Sequence, residues 1–309
     1  MGPGVNRDDF EGWVARSLDA VESCLDRWVP GDAPAGLGLA MRYGVLDGGK
    51  RVRALLVLAA SQAVGGDRDA ALRAAWAVEL IHAYSLVHDE MPCMDNDVLR
   101  RGKPTVHVQF GEAQAMLAGD AMQALAFEVL TPAAADQAVP GGPSGMAPAL
   151  QARLCSLLAR SAGHAGMAGG QAIDLASIGK PLDEQTLRDM HHRKTGALLQ
   201  ASVLMGAACG EVDAHDGAAL AEYGDALGLA FQVVDDILDV TQESHTLGKT
   251  ARKDVHANKP TYVTVLGLPA ARRHADALRD KALAALQRSH LRDAAWLALL
   301  ADKVVERDN

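Results

Sequence analysis

The side chains best suited to chemistry stand in two acidic clusters that lie about 140 residues apart in the chain. The carboxylates are Asp89, Glu90 and Asp95 in the first cluster, and Asp235, Asp236 and Asp239 in the second. Both clusters are embedded in apolar sequence, where a carboxylate is costly unless a positive group balances it. Two such clusters facing each other would bind hard divalent cations, and those cations would bind a polyphosphate. The pattern therefore predicts chemistry on a diphosphate ester.

The second cluster has the spacing of a helix face. Asp235 and Asp239 are four residues apart and share one face, while Asp236 points about a quarter-turn away. Carboxylate and phosphate oxygens favour Mg2+ over Zn2+, because no set of histidines and cysteines with zinc spacing is evident. One isolated acidic cluster would more simply be a solvated helix face. Two clusters in Leu/Val/Ile-rich sequence favour the metal site.

The first cluster needs a break in its helix. Asp89 and Asp95 are six residues apart, which places them about 120° apart on an ideal helix. Pro92 removes a backbone donor and clashes with the preceding turn. We expect the helix to kink or end near Pro92, so that Asp95 swings towards Asp89.

Basic residues surround the two clusters. Gly48 and Gly49 precede a predicted helix that begins with Lys50 and also carries Arg53, an arrangement in which backbone amides and cations can approach an anion. Further candidate phosphate-binding cations follow each cluster or stand between them: Arg100, Arg101, Lys194, Lys249, Lys253 and Lys259. Each of these, taken alone, also fits an ordinary surface residue.

His82 lies seven residues before Asp89, on roughly the same helix face. A single histidine in apolar sequence is most often a core residue. Its position two turns from Asp89 favours a role in the site.

The composition predicts an all-α fold. Hydrophobic residues make up 49% of the 309 residues and aromatic residues only 4%, and Ala and Leu, which favour helix, recur throughout. We expect one domain over residues 1–309, a bundle of roughly ten helices around a deep central cavity. The predicted helices span residues 8–28, 50–64, 69–91, 105–130, 149–162, 166–176, 183–209, 217–240, 259–267, 270–287 and 293–306. The Pro/Gly-rich stretch 131–148 is too short for a domain linker.

Bulk properties exclude some classes of function. A net charge of −9 argues against general nucleic-acid binding. No apolar stretch reaches the roughly 20 residues that a membrane span needs. The four cysteines form no CxxC pair, which favours reduced thiols and a cytoplasmic location.

The chain resembles the trans-isoprenyl diphosphate synthases, specifically the bacterial farnesyl-diphosphate-synthase-like branch, over essentially its whole length. The motifs that carry the resemblance span residues 41–51, 82–89, 99–105, 169–174, 192–198, 231–239 and 247–249. The two aspartate motifs in this order are the most specific part. The resemblance implies an isoprenoid-synthase-like bundle, a homodimer and an Mg2+-dependent condensation of isopentenyl diphosphate with an allylic diphosphate.

The resemblance also implies a role for each candidate residue. It assigns Asp89, Asp95, Asp235 and Asp239 to Mg2+, with three ions per site. It assigns Arg100, Lys194 and Lys259 to the allylic diphosphate, with Lys249 closing over it. It assigns Lys50, Arg53, His82 and Arg101 to isopentenyl diphosphate. It places Thr195 and Gln232 against the forming carbocation.

Three positions depart from the family pattern. The family usually has Asp at position 90 and often at position 96, whereas this chain has Glu90 and Asn96. Arg252 stands where the family often has Gly. We expect slower turnover or weaker metal binding from the change at position 90, and an altered loop closure from Arg252.

The residues before Asp89 predict the product length. Tyr84 and Ser85 lie five and four residues earlier, about 6–7.5 Å along a helix, which is similar to one isoprene unit. A bulky Tyr84 should stop chain growth early, so we predict farnesyl diphosphate. The alternatives are a geranylgeranyl or geranyl diphosphate synthase, a non-catalytic subunit of a heteromeric synthase, and a terpene cyclase.

Overall fold

The computed structural model describes residues 7–46, 48–132, 146–180, 182–241 and 260–307. Over these residues the chain is almost entirely helical, and the all-α prediction is confirmed. The α-helices are α1 (Arg7–Trp28), α2 (Leu37–Val45), α3 (Val52–Ala63), α4 (Arg68–Asp89), α5 (Val106–Phe110), α6 (Glu112–Glu128), α7 (Pro148–Ala162), α8 (Met167–Ala176), α9 (Glu184–His191), α10 (Ala197–Ala208), α11 (Ala214–Thr241), α12 (Tyr262–Leu266), α13 (Leu268–Arg288) and α14 (Ala295–Val305).

Three shorter elements complete the described chain. A 3-10 helix (Pro34–Gly36) precedes α2, and a π-helix (His192–Gly196) joins α9 to α10. Strands β1 (Leu99–Arg100) and β2 (Lys103–Pro104) form an antiparallel hairpin.

The centre of the bundle consists of α3, α4, α10 and α11. Helix α10 packs against both α3 and α11, and α4 packs against α3 and α6. Buried Ala, Leu and Val residues occur on all sides of α4, α10 and α11. A helix that is apolar all round is buried all round, and this explains why Glu79 of α4 and Asp236 and Asp239 of α11 lie in the interior.

Capping side chains set the start of several helices. The Asp67 carboxylate accepts the Ala70 N–H at 2.7 Å before α4, and Thr261 forms a capping box with Thr264 at α12. Both satisfy backbone donors that a helix start leaves unpaired. The start of α12 is thereby fixed, and it lies beside the second acidic cluster.

The structure corrects two predicted helices and shows two elements that were not predicted. The predicted helix 105–130 is two helices, because Gly111 adopts a φ of 88° between α5 and α6. The predicted helix 183–209 is interrupted by the π-helix. Helix α2 was not predicted, and neither was the hairpin, whose two-residue strands are too short to show alternation.

No helix in the described part of the chain is both long and apolar enough to cross a bilayer. All four cysteines are free thiols, and only Cys93 is exposed among them.

Candidate active site

The two acidic clusters contribute to one cavity of about 680 Å³, which we call the charged cavity. Asp89 and Glu90 line it from the end of α4, and Asp235 lines it from α11. The same cavity is lined by five of the predicted cations, Lys50, Arg53, Arg100, Arg101 and Lys194, and by two more, Arg51 and Arg307. The structure therefore places carboxylates and cations from distant parts of the chain around one volume.

A second cavity of about 400 Å³ adjoins the first, and we call it the apolar cavity. Its lining includes Tyr84, Met94, Met167 and Leu175. Six residues line both cavities: Arg53, His82, Leu86, Asp89, Lys194 and Thr195. The charged cavity thus continues into a largely apolar one at the level of Asp89.

The first acidic cluster is built on the end of a helix, as Pro92 predicts. Helix α4 ends at Asp89, and the chain then turns back on itself. The Asp95 N–H donates to the Asp89 carbonyl at 2.8 Å, and the Asp97 N–H donates to the Glu90 carbonyl at 3.1 Å. Backbone hydrogen bonds therefore bring Asp95 next to Asp89, although Asp95 is not among the described residues that line the charged cavity.

Glu90, the departure from the family pattern, is buried and forms a salt bridge. Its Oε1 lies 3.2 Å from Nη1 of Arg100. Burial raises the pKa of Glu90, and the nearby Arg100 opposes that rise. In this chain Glu90 therefore holds the guanidinium of Arg100.

The β1–β2 hairpin places Arg101 over the glycine pair. Arg101 and Gly102 both have positive φ, 49° and 77°, which is the geometry of a tight two-residue hairpin loop. Arg101 Nη1 donates to the Gly48 carbonyl. A Cβ at Gly49 would lie 2.5 Å from the Arg101 guanidinium, so only glycine fits at this position.

The cations at the start of α3 differ in their surroundings. Arg51 bonds to Glu22 at 2.7 Å and to the buried Glu79 at 3.2 Å, so it ties α1, α3 and α4 together. Burial lowers the pKa of both Lys50 and Arg53, and the neighbouring positive charge of Arg307 lowers them further. Lys50 and Arg53 therefore carry positive charge that an anionic ligand in the cavity would stabilise.

His82 lines both cavities and is half-buried. Its pKa lies well below the ordinary value because of burial, and the positive charges of Arg53 and Arg100 add to this effect. The imidazole is therefore neutral near pH 7. It can offer a hydrogen bond in the site without adding another charge.

Asp235, the first aspartate of the second cluster, is paired with the end of the chain. Arg307 Nη2 lies 2.7 Å from Asp235 Oδ1 and 2.6 Å from the Phe231 carbonyl oxygen. The Arg307 guanidinium also stacks on the Phe231 ring, with 3.9 Å between its carbon and the ring centroid. A cation thus already lies against a predicted metal-binding carboxylate, and this contact across 72 residues was not predicted.

Asp236 is the centre of a hydrogen-bond chain. Gln232 Nε2 donates to its Oδ1 at 2.8 Å, and the Tyr262 backbone N–H donates to its Oδ2 at 2.7 Å. Thr195 Oγ1 donates to Gln232 Oε1 at 2.8 Å. These contacts connect the π-helix, α11 and α12 through one carboxylate that is 2% exposed. Asp239, one turn beyond Asp235, is also buried and does not line the charged cavity in the described part of the chain.

Helix α8 supplies two site contacts that the sequence analysis did not assign. Gln171 Nε2 donates to Asp89 Oδ1 at 2.6 Å, and Lys194 Nζ donates to the buried Asp174 at 2.6 Å. A Cβ at Gly170 would lie 2.2 Å from the Lys194 backbone nitrogen, so the close approach of α8 to the π-helix requires glycine there. The motif Gly169–Asp174 was the available signal for these roles.

Tyr84 and Ser85 line the apolar cavity, as their position before Asp89 predicts. The Tyr84 ring meets the His88 ring edge-on, with centroids 5.7 Å apart. Ser85 Oγ donates to the His82 carbonyl oxygen at 2.8 Å, so its hydroxyl is already satisfied within α4. Lys249, Arg252, Lys253 and Lys259 lie outside the described residues.

Comparisons with known proteins agree with this geometry. The family model described as "Polyprenyl synthetase" matches residues 35–295. The geranylgeranyl pyrophosphate synthase 12 (chloroplastic) of Arabidopsis thaliana is 44% identical over 305 residues, which are 97% of this chain and 82% of that protein.

Solved structures are similar over nearly the whole chain. An FPP/GFPP synthase from Zymomonas mobilis is 38% identical with a TM-score of 0.81, covering 96% of this chain and 99% of that one. A geranyltransferase from Helicobacter pylori, solved with magnesium and isoprenyl diphosphate, is 31% identical with a TM-score of 0.82, covering 98% of each chain. The chain therefore belongs to the polyprenyl synthetase family, the trans-isoprenyl diphosphate synthases, and is a prenyltransferase.

Proposed function

We propose that the enzyme condenses isopentenyl diphosphate with an allylic diphosphate, dimethylallyl or geranyl, to give farnesyl diphosphate and pyrophosphate. One observation carries the proposal: a cavity lined by carboxylates and cations opens into an apolar cavity at Asp89. Diphosphate groups fit the first cavity and a hydrocarbon tail fits the second.

The cations divide between the two diphosphates. Arg100 pairs with Glu90 of the first acidic cluster, and Lys194 lines the apolar cavity. Both therefore suit the allylic diphosphate. Lys50 and Arg101 lie next to Gly49 in the charged cavity. Together with Arg53, which lines both cavities, they suit isopentenyl diphosphate. Guanidinium groups bind diphosphate oxygens in pairs, and neutral His82 can add a hydrogen bond.

The donor set fits Mg2+, on which the family generally depends. Asp89, Asp95, Asp235 and Asp239 offer only carboxylate oxygens, the ligands that Mg2+ prefers. The guanidinium of Arg307 on Asp235 shows that this position accepts a cation. When bound, three Mg2+ ions would neutralise the allylic diphosphate and so favour its departure as pyrophosphate.

The chain's own residues prepare the reaction. Arg100 and Lys194 would hold the allylic diphosphate so that its reacting carbon faces the second substrate and its C–O bond breaks on the opposite side. The alkene of isopentenyl diphosphate then forms the new C–C bond, and a proton is lost to the released pyrophosphate. The oxygen atoms of Thr195 and Gln232, held by their mutual hydrogen bond, would stabilise positive charge on the allylic carbons. The apolar cavity walls exclude water that would otherwise trap that charge.

Tyr84 supports a product of fifteen carbons. Its ring lies in the apolar cavity about one isoprene length from Asp89 and is held against His88. A tail that grows along α4 would meet this ring.

Geranylgeranyl diphosphate is the second candidate product. It is favoured by the 44% identical relative, which is a geranylgeranyl pyrophosphate synthase. Family membership does not distinguish the two products, because they differ only in how deep the tail can reach.

Product chromatography tests the proposal. Purified enzyme with Mg2+, dimethylallyl diphosphate and labelled isopentenyl diphosphate should give mainly farnesyl diphosphate. Tyr84→Ala should lengthen the products, whereas Tyr84→Phe keeps the ring and should leave the product length unchanged. A twenty-carbon main product from the native enzyme would select the second candidate. An unchanged spectrum in Tyr84→Ala would assign the end of the tail cavity to another residue.

We also propose that the enzyme is a homodimer. Large apolar side chains are exposed on the adjoining helices α2, α5 and α6, at Leu39, Val108, Met116 and Leu117. A second copy would bury them. Light scattering should give twice the mass of the chain, and Leu117→Glu should shift it towards the monomer.

A further inference from the structure

Two histidines and an aspartate meet at the end of the bundle where α11 begins. His215 and Asp216 lie in the first turn of α11, and His290 lies in the connection between α13 and α14. One ring nitrogen of each histidine and one carboxylate oxygen of Asp216 lie within 4.8 Å of one another. The imidazole rings stack with centroids 4.6 Å apart and an interplanar angle of 19°.

Asp216 is held in position independently of any ligand. Its Oδ1 accepts the backbone N–H of His290 at 2.8 Å and lies 3.3 Å from His215 Nδ1. Its own backbone N–H donates to Asp213 at 2.8 Å. The hydrogen bond from the His290 backbone holds the pKa of Asp216 below its ordinary value. The carboxylate is therefore ionised at neutral pH and fixes the spacing between the two chain segments.

The donor atoms must move closer together to share one ion. Ligand atoms at about 2.0–2.2 Å from a tetrahedral zinc ion are about 3.3–3.6 Å apart. The present donor atoms lie within 4.8 Å of one another, so they need to approach by roughly 1 Å. The His215 side chain is 52% exposed and His290 is also exposed, so rotation of the rings meets little resistance.

We propose that His215, Asp216 and His290 form a binding site for a divalent transition-metal ion of the zinc class, separate from the catalytic Mg2+ ions. Two imidazoles and one carboxylate suit Zn2+, Cu2+ or Ni2+, whereas Mg2+ prefers oxygen ligands alone. Water would complete the coordination shell. The ion would link the start of α11 to the turn that follows α13.

The site is remote from the chemistry. Asp216 and Asp235 are 19 residues apart on α11, which corresponds to about 28 Å along the helix. Zinc at this site should therefore act on the stability of the fold rather than on the reacting groups. Because it binds the folded arrangement only, it should raise the melting temperature.

Zinc titration of the purified enzyme in excess Mg2+ tests the proposal. Excess Mg2+ competes for the catalytic carboxylates, and a chromophoric zinc chelator reports the zinc taken up. The native chain should bind one more zinc ion than His290→Ala or His215→Ala. Loss of one direct ligand should weaken the site by at least roughly tenfold, since even indirect partners of metal ligands contribute that much. His164→Ala, which removes another exposed histidine, should bind as much zinc as the native chain.

A second measurement guards against a variant that fails to fold. His290→Gln keeps the size of the side chain and the backbone N–H that Asp216 accepts. Its melting temperature without metal should equal that of the native enzyme, but the rise on adding zinc should be lost. Equal zinc uptake and an equal rise in melting temperature in the native chain and all His215 and His290 variants would overturn the proposal. This outcome is independent of the prenyl-transfer assays.

Discussion

The two acidic clusters are similar in sequence but are built in different ways. The first stands where α4 ends, and backbone hydrogen bonds such as that from Asp95 to Asp89 shape it. The second lies within the unbroken helix α11 and is held by the Arg307 side chain at Asp235. At Asp236 it is held by Gln232 of the same helix and by the backbone N–H of Tyr262. Identical residue types can thus be ligand, counter-ion or structural tie, depending on what surrounds each carboxylate.

The largest effect should come from the first cluster. Asp89→Asn removes a charge at the junction of the two cavities while keeping an oxygen that can accept from Gln171. Turnover should fall by about 10²–10³, the cost of losing one preorganised charge-stabilising group, with little change in unfolding. Steady-state pyrophosphate release measures this. Asp120→Asn, on the exposed side of α6, is the matched control; if it lost as much activity, the effect would not belong to the site.

Asp235 and Asp236, neighbours in the second cluster, should contribute differently to the stability of the fold. Asp236→Asn replaces a buried carboxylate that accepts two hydrogen bonds, so the free energy of unfolding should fall by about 2–3 kcal/mol. Asp235→Asn breaks an ion pair whose carboxylate is 41% exposed, so it should cost no more than about 1 kcal/mol in stability although it should reduce activity. Urea unfolding of both variants measures the difference. Equal losses would show that the two carboxylates are not held differently.

The region around the second cluster should also be acid-sensitive. His191 stacks on Tyr262, and burial lowers its pKa from 6.5 to about 3. Between those values the unfolded chain binds a proton that the folded chain does not, so stability falls as the pH drops below about 6.5. From pH 6.5 to pH 5 this one histidine should remove about 2 kcal/mol.

His191→Leu should reduce that pH dependence. Urea unfolding at pH 7 and pH 5 gives the loss in free energy of unfolding between these two pH values for each protein. This loss should be about 2 kcal/mol smaller in the variant than in the native enzyme. His164→Gln, an exposed histidine, should keep the native slope. If the stability of His191→Leu depends on pH as that of the native enzyme does, another group causes the acid sensitivity, for example His82.

The smallest effect concerns the cation already at Asp235. Arg307→Gln frees this carboxylate, so the substrate-free enzyme should bind divalent ions there up to about fivefold more tightly, the worth of about 1 kcal/mol. Titration with Mn2+, observed by electron paramagnetic resonance, measures the affinity without relying on turnover. Arg288→Gln breaks a comparable exposed pair with Glu222 and should change nothing. Weaker ion binding in Arg307→Gln would contradict competition between the guanidinium and the metal.

Local spacing predicted the framework of the site well. The interval between Asp235 and Asp239 predicted a helix, and Pro92 predicted the end of α4. These features depend on neighbouring residues, whose geometry the backbone dictates. The helix break at Gly111, where the glycine adopts a φ of 88°, and the π-helix were missed because the spacing of apolar residues does not show where the backbone leaves the α-helical path.

Contacts between residues that are far apart in the sequence could not be predicted from local spacing. Arg307 reaches Asp235 across 72 residues, and Gln171 reaches Asp89 across 82. Asp236 was expected to point about a quarter-turn away from its neighbours, but nothing local indicated that the Tyr262 N–H would meet it there. Such partners depend on how the helices are arranged, so their roles became visible only in the folded chain.

The tie between Asp236 and the Tyr262 N–H has a consequence for the order in which the chain folds. It joins two residues that are 26 positions apart in the sequence. The acceptor at the start of α12 thus comes partly from another helix. With only five residues, α12 is too short to be stable by itself, so we expect it to form only once α11 is in place.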